Sequence, residues 1–145
     1  MSEQDPSLYD RLYVEFIYYF NVARDYFECH EVMEELWLEE GRAPLYQGLL
    51  QVAVGLYHYR NGNLSGAVKL FTAAIDKLEP RRAQQGTGID LARLVDDSKR
   101  YLQQLERANE EPFAFYDLDI LIVDPQLEKQ VDDLIGHPPM AGEEH

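Results

Sequence analysis

The densest concentration of groups capable of acid–base or metal chemistry lies in one stretch, Tyr26-Phe27-Glu28-Cys29-His30-Glu31-Val32-Met33-Glu34-Glu35-Leu36-Trp37. On a helix advancing about 100° per residue, Tyr26, Cys29, Val32, Met33, Leu36 and Trp37 fall on one arc. Glu28, Glu31 and Glu35 line the opposite side, and His30 and Glu34 sit at the border beside Trp37. A second polar set, Gln47, Gln51 and His58, falls within roughly 40° on the helix that follows, a rod otherwise apolar nearly all round. Buried amides and imidazoles cost a few kcal/mol each when unpaired, so this stripe calls for polar partners. The nearest in sequence are Glu28, His30, Glu31 and Glu35, and these seven residues form the candidate polar cluster. In the arrangement expected, Glu28 and Glu31 approach His58, and Glu35 approaches Gln51.

Three chemistries follow from these residue types. His30-Glu31-x2-Glu34 reads as half of a zinc-protease helix, in which two ligands four apart share a face and the intervening glutamate is the base. Glu34 stands where a second histidine belongs, and His58 is the remaining candidate ligand. His30, Glu31, Glu34 and His58 are therefore the candidate metal donors, and a divalent cation is compatible with them without being required. The alternative function is a metal- or carboxylate-dependent hydrolase centred on His30 and Glu31. The leading reading is non-enzymatic: a helical module binding a protein partner or small ligand, with the Glu/His/Gln cluster between its helices. Nucleophilic catalysis has little support, because Cys29 lies on the core arc and no serine sits in a strained elbow.

The elements that would position these groups are helical. Asp5-Pro6-Ser7 reads as an opening, followed by a helix from Leu8 to about Phe20. Arg24 or Asp25 opens the Glu-rich helix, which ends at Gly41. Pro44 starts the central apolar helix, Leu45 to Arg60, on which Gly48 and Gly55 mark a side where another helix can come close. A fourth helix spans Leu64 to Glu79, and Arg81 to Gly88 reads as an exposed loop. Asp90 caps a fifth helix, Leu91 to about Ala108. Phe113 to Val123 reads as an extended segment laid on the helices, Pro125 to Ile135 as a short helix, and Gly136 to His145 as a loose tail. The expected fold is all-α: one domain, residues 1–135, a compact bundle of about five helices.

A shift of about 38 residues lays the first helix pair on the second, with Cys29 on Ala67, Met33 on Phe71 and Leu36 on Ala74. The pattern is similar to tetratricopeptide helix pairs, whose small residues let antiparallel helices pack closely. A broader resemblance is carried by Phe20-Asn21, Tyr26-Phe27-Glu28-x-His30-Glu31-x2-Glu34-x2-Trp37, Gln47-Gly48-Leu49-x-Gln51-x-Ala53, His58 and Gly62-Asn63-x2-Gly66-Ala67. Over Phe20 to Leu78 the chain resembles the small family known as domain of unknown function 309. That resemblance implies a compact helical fold and brings no catalytic role.

Composition narrows the partners. Acidic residues number 27 against 13 basic ones, for a net charge of −14, and the arginines are scattered. Such a chain repels a nucleic-acid backbone. No apolar run approaches the ~18 residues of a membrane span, and the amino terminus lacks the features of a secretory signal. With a single cysteine, disulfides within the chain are excluded, and the expectation is a soluble cytoplasmic protein. Dispersed carboxylate with lysine only at Lys69, Lys77, Lys99 and Lys129 suits concentrated salt, where screening relieves self-repulsion, so a halophilic source is expected. Oligomeric state is not readable from the sequence.

Overall fold

The computed structural model describes residues 8–139, and the chain is all-helical as expected. Helix α1 spans Arg11–Tyr18, and the side chain of Asp10 accepts from the Leu12 N–H at 2.8 Å to cap it. The expected opening at Asp5-Pro6-Ser7 lies outside the described residues. A π turn, Tyr19–Ala23, continues α1, and Arg24 then takes a left-handed conformation at φ 55° that reverses the chain. Asp25 caps α2, Tyr26–Glu39, by accepting from the Glu28 N–H at 3.0 Å. Gly41 at φ +70° and Arg42 at φ 64° turn the chain into α3, Pro44–Arg60, with proline at its first position. Asn63 caps α4, Leu64–Leu78, which tightens into a 3-10 turn at Glu79–Arg81 because Pro80 cannot extend an α-helix. Asp90 and Asp124 cap α5, Leu91–Glu106, and α6, Pro125–Gly136.

Helix α3 is central, flanked by α2 and α4, with α5 beyond α4 and α6 against α1. Leu49, Val52, Ala53 and Leu56 of α3 are fully enclosed. Gly48 and Gly55 do what their seven-residue spacing suggests. A Cβ at Gly48 would stand 2.7 Å from the Leu78 side chain, and one at Gly55 would stand 2.7 Å from the Phe71 ring. Phe71 is in turn stacked on Tyr101 of α5, with centroids 5.0 Å apart and planes at 7°.

The segment 113–124 is extended and contributes an isolated antiparallel bridge between Ile122 and Ile89. It is held mainly by side chains. Asn21 in the π turn donates to the Ile120 carbonyl at 2.8 Å and accepts from the Ile120 N–H at 2.9 Å. Arg24 donates to the Leu118 carbonyl at 2.6 Å and pairs with Asp119, while the Tyr26 hydroxyl donates to Asp117. The Tyr101 hydroxyl donates to the Tyr116 carbonyl at 2.8 Å. One expectation needs correction: Arg81 to Gly88 is not exposed throughout, because Thr87 is buried and its carbonyl accepts from the Tyr13 hydroxyl at 2.6 Å. The acceptor gives a buried phenol its partner, which drew the loop inward.

Gly55→Ala tests the close approach. Alanine improves helix propensity by about 1 kcal/mol, but Phe71 is pinned by Tyr101, and overpacking a fixed core costs about 1–3 kcal/mol. Urea unfolding is expected to show net destabilisation for Gly55→Ala and none for Gly136→Ala, where nothing lies within 4 Å.

Candidate functional site

Helix α2 buries Tyr26, Cys29, Val32, Met33 and Leu36, and that set fixes where its polar side chains point. His30 falls on the outer border and is 38% exposed. Its Nδ1 lies 3.3 Å from Oε2 of Glu31 and its Nε2 lies 3.8 Å from Oε1 of Glu34. The two carboxylates, 52% and 49% exposed, therefore flank opposite edges of one imidazole. Trp37 is half-buried beside them with its indole N–H enclosed and unpartnered, and the Arg42 guanidinium lies 5.2 Å over its ring.

The other members of the expected cluster lie elsewhere. Glu28 and Glu35 sit about 140–160° round the helix from His30, toward α1. There, burial and then the Glu28 charge push the Tyr19 phenol above its ordinary value. The Arg11 guanidinium is held charged first by Glu15, 2.8 Å away, and to a smaller degree by Glu35. On α3, the His58 Nδ1 accepts from the Asn63 amide at 3.3 Å, so its ring is engaged with the cap of α4. It also packs edge-on to Tyr57, with centroids 6.0 Å apart. Gln47 is half-buried; Gln51 is too, and its side-chain oxygen is enclosed without a partner. The structure thus brings His30, Glu31 and Glu34 together, while Glu28 and Glu35 lie toward α1 and Gln47, Gln51 and His58 lie on α3. The expected grouping assigned both edges of α2 to α3, whereas one edge belongs to α1.

For a metal the geometry is unfavourable. Among the described residues no three His, Cys, Asp or Glu side chains are grouped to hold an ion. Within the triad the reason is visible, since carboxylates on opposite edges of a ring cannot share a cation with its one nitrogen lone pair.

A different feature of α2 was not singled out from sequence. Phe27, Glu31, Glu34 and Leu38 follow a 4-3-4 spacing and lie within about 60° on the outward face. Phe27 is 52% exposed and Leu38 49%, so two large apolar side chains bracket two carboxylates on solvent. The signal was present in the spacing, but a Glu-rich face reads as a solvated one. The role of Asn21 in clasping the extended segment was likewise hidden, because its partner Ile120 is remote in sequence.

A family model described as Domain of unknown function (DUF309) matches residues 13–70, from within α1 to within α4. An uncharacterized protein of Bacillus subtilis (strain 168), YpuF, is 34% identical over 126 residues, covering 84% of this chain and 70% of that protein. No solved structure matches.

Two substitutions separate surface chemistry from architecture. Glu31→Gln, at an exposed pair, is expected to change stability by less than about 0.5 kcal/mol. Asn21→Ala strands both backbone groups of Ile120 and is expected to cost about 1–3 kcal/mol in urea unfolding.

Proposed function

The chain belongs to the family described as Domain of unknown function (DUF309), whose description assigns no activity, and from that premise we propose that it is a protein-binding module whose outer α2 face receives a basic amphipathic helix of a partner. The observation that carries this reading is the exposure of Phe27 and Leu38 at the two ends of a stripe whose middle is Glu31 and Glu34. A 4-3-4 spacing is the seam along which a second helix packs, and apolar ends with an acidic middle call for apolar ends and a lysine- or arginine-bearing middle opposite. Leaving half of each of two large apolar side chains on water gains nothing for folding, whereas covering that remaining half contributes about 1 kcal/mol apiece to association. The −14 net charge adds attraction for a basic segment and repulsion for acidic competitors.

A hydrolase centred on His30 and Glu31 has weaker support. Nδ1 of His30 lies 3.3 Å from Glu31 and Nε2 lies 3.8 Å from Glu34, so the imidazole sits between carboxylates of its own helix on an exposed face.

Trp37, the single tryptophan, reports on this face. Titration with a helical Leu/Lys peptide is expected to change its emission saturably. Phe27→Ser with Leu38→Ser, which leaves the net charge unchanged, should weaken binding at least tenfold. Equal binding by that variant would reduce the interaction to diffuse charge attraction and end this reading. We also propose that the acidic surface makes stability salt-dependent: the melting temperature should rise between low and molar potassium chloride, and a flat response would remove the halophilic interpretation.

A further inference from the structure

We propose that the groove filled by residues 113–120 is an interaction surface for an extended acidic peptide of a partner, and that those residues are its tethered competitor. The segment is held as a bound peptide is held. Among the described residues, none of its backbone groups pairs with another backbone group, and its hydrogen bonds run to side chains of the helical body. Asn21 meets the N–H and the carbonyl of Ile120 together, at 2.9 and 2.8 Å. A carboxamide offers one donor and one acceptor this way, so the contact reads extended backbone whatever side chain it carries. The carbonyls of Phe113, Tyr116 and Leu118 accept from Tyr59 of α3, Tyr101 of α5 and Arg24 after the π turn.

Side chains add the selectivity. Phe113 stacks on Tyr59 with centroids 4.8 Å apart, and the Arg60 guanidinium lies 5.9 Å over the Phe115 ring. Alternation along the extended chain puts Leu118 and Ile120, both buried, on one side and Asp117 and Asp119 on the other. Asp117 accepts from the Tyr26 hydroxyl, and Asp119 pairs with Arg24. Burial first, and then the Asp117 bond, raise the Tyr26 phenol above its ordinary value, so it remains a donor near neutrality. A chain with 13 basic and 27 acidic residues thus places two arginines on this groove. The peptide that fits is aromatic-x-aromatic, followed by two aspartates alternating with aliphatic residues.

The tethered occupant is lightly built in. Ladder bonds begin only beyond it, from the Asp90 N–H to the Leu121 carbonyl and from the Val123 N–H to the Gly88 carbonyl, both at 2.8 Å. Residues 113–120 lack the backbone ladder that ties an element's opening to global unfolding. Exposed residues 109–112 join them to α5. A tether of this kind holds its ligand at roughly millimolar effective concentration, so the groove is closed to weak ligands and open to a partner that adds contacts outside it.

The probe is a fluorescein-labelled peptide, Phe-Ala-Phe-Tyr-Asp-Leu-Asp-Ile, followed by anisotropy with the full chain at constant ionic strength. Asp117→Asn with Asp119→Asn weakens the tethered copy and is expected to bind the peptide at least tenfold more tightly than wild type. A peptide with asparagine at both aspartate positions is expected to bind that variant at least tenfold more weakly. Equal affinity of wild type and variant, or of the two peptides, refutes the site. Circular dichroism checks the variant's fold, and hydrogen exchange on the unaltered protein decides independently of it. There the Ile120 N–H is expected to exchange at least tenfold faster than those of Val52 and Leu56 in α3, through local opening. A single rate for all three refutes displacement of the segment, and the proposal with it. Neither measurement reads Phe27 or Leu38, so this proposal and the α2 reading fail separately.

Discussion

The contact on which the structure depends is the close approach of α3 and α4 at Gly48 and Gly55. Helix α3 is too apolar around its circumference to face water, so it must be covered on several sides at once. The missing side chains let the Leu78 and Phe71 side chains sit directly on its backbone. From there the packing propagates outward. Phe71 presents its other face to Tyr101, which fixes α5. Tyr101 packs on Tyr116, with centroids 4.6 Å apart, and bonds its carbonyl, which anchors the extended segment. That segment then runs back to Asn21 and Arg24, closing the chain onto the π turn between α1 and α2. Because α4 takes one flank of α3 and α2 another, the outward face of α2 is left largely on solvent, its Phe27 ring touching Tyr57 of α3 with centroids 6.4 Å apart.

Charge decides what such a face can do. A chain with 27 acidic and 13 basic residues has little cation to spare, and the arginines that bear on the fold are used locally. Arg24 and Arg60 bind backbone carbonyls, and Arg60 lies 4.8 Å over the Tyr26 ring. Glu31, Glu34, Glu35 and Glu39 of α2 thus remain on solvent, with His30 between the first two. In that setting exposed ion pairs contribute little to stability, while a complementary basic surface gains both long-range attraction and the burial of Phe27 and Leu38. No helix among the described residues is long and apolar enough to cross a membrane.

Local rules carried most of the fold in the sequence. The opening at Arg24 or Asp25, the proline at 44, the cap at Asp90 and three-and-four apolar spacing marked the helices to within a few residues, and the structure adds Asn63 and Asp124 as caps of α4 and α6. Gly48 and Gly55 announced the close flank of α3. The π turn was not legible, because Tyr19–Ala23 has ordinary helix-forming spacing and its distortion is tied to Asn21 reaching Ile120. The candidate site was legible in part. Periodicity identified which residues of α2 point outward but not which neighbour faces each edge, so Glu28 and Glu35 were assigned to α3 when α1 lies beside them. His58 engages the adjacent Asn63 cap through a ring nitrogen, a local contact that helix periodicity does not reveal.

The central claim is that the outer face of α2 is a specific surface for a basic helix. The most direct measurement is amide chemical-shift mapping by NMR with a lysine-bearing amphipathic helix at near-physiological salt. The account predicts that the largest shifts follow Phe27, Glu31, Glu34 and Leu38, with smaller ones at His30 and Trp37. Shifts spread evenly over the acidic residues of all six helices, or concentrated at Glu28 and Glu35 on the α1 edge, would contradict it.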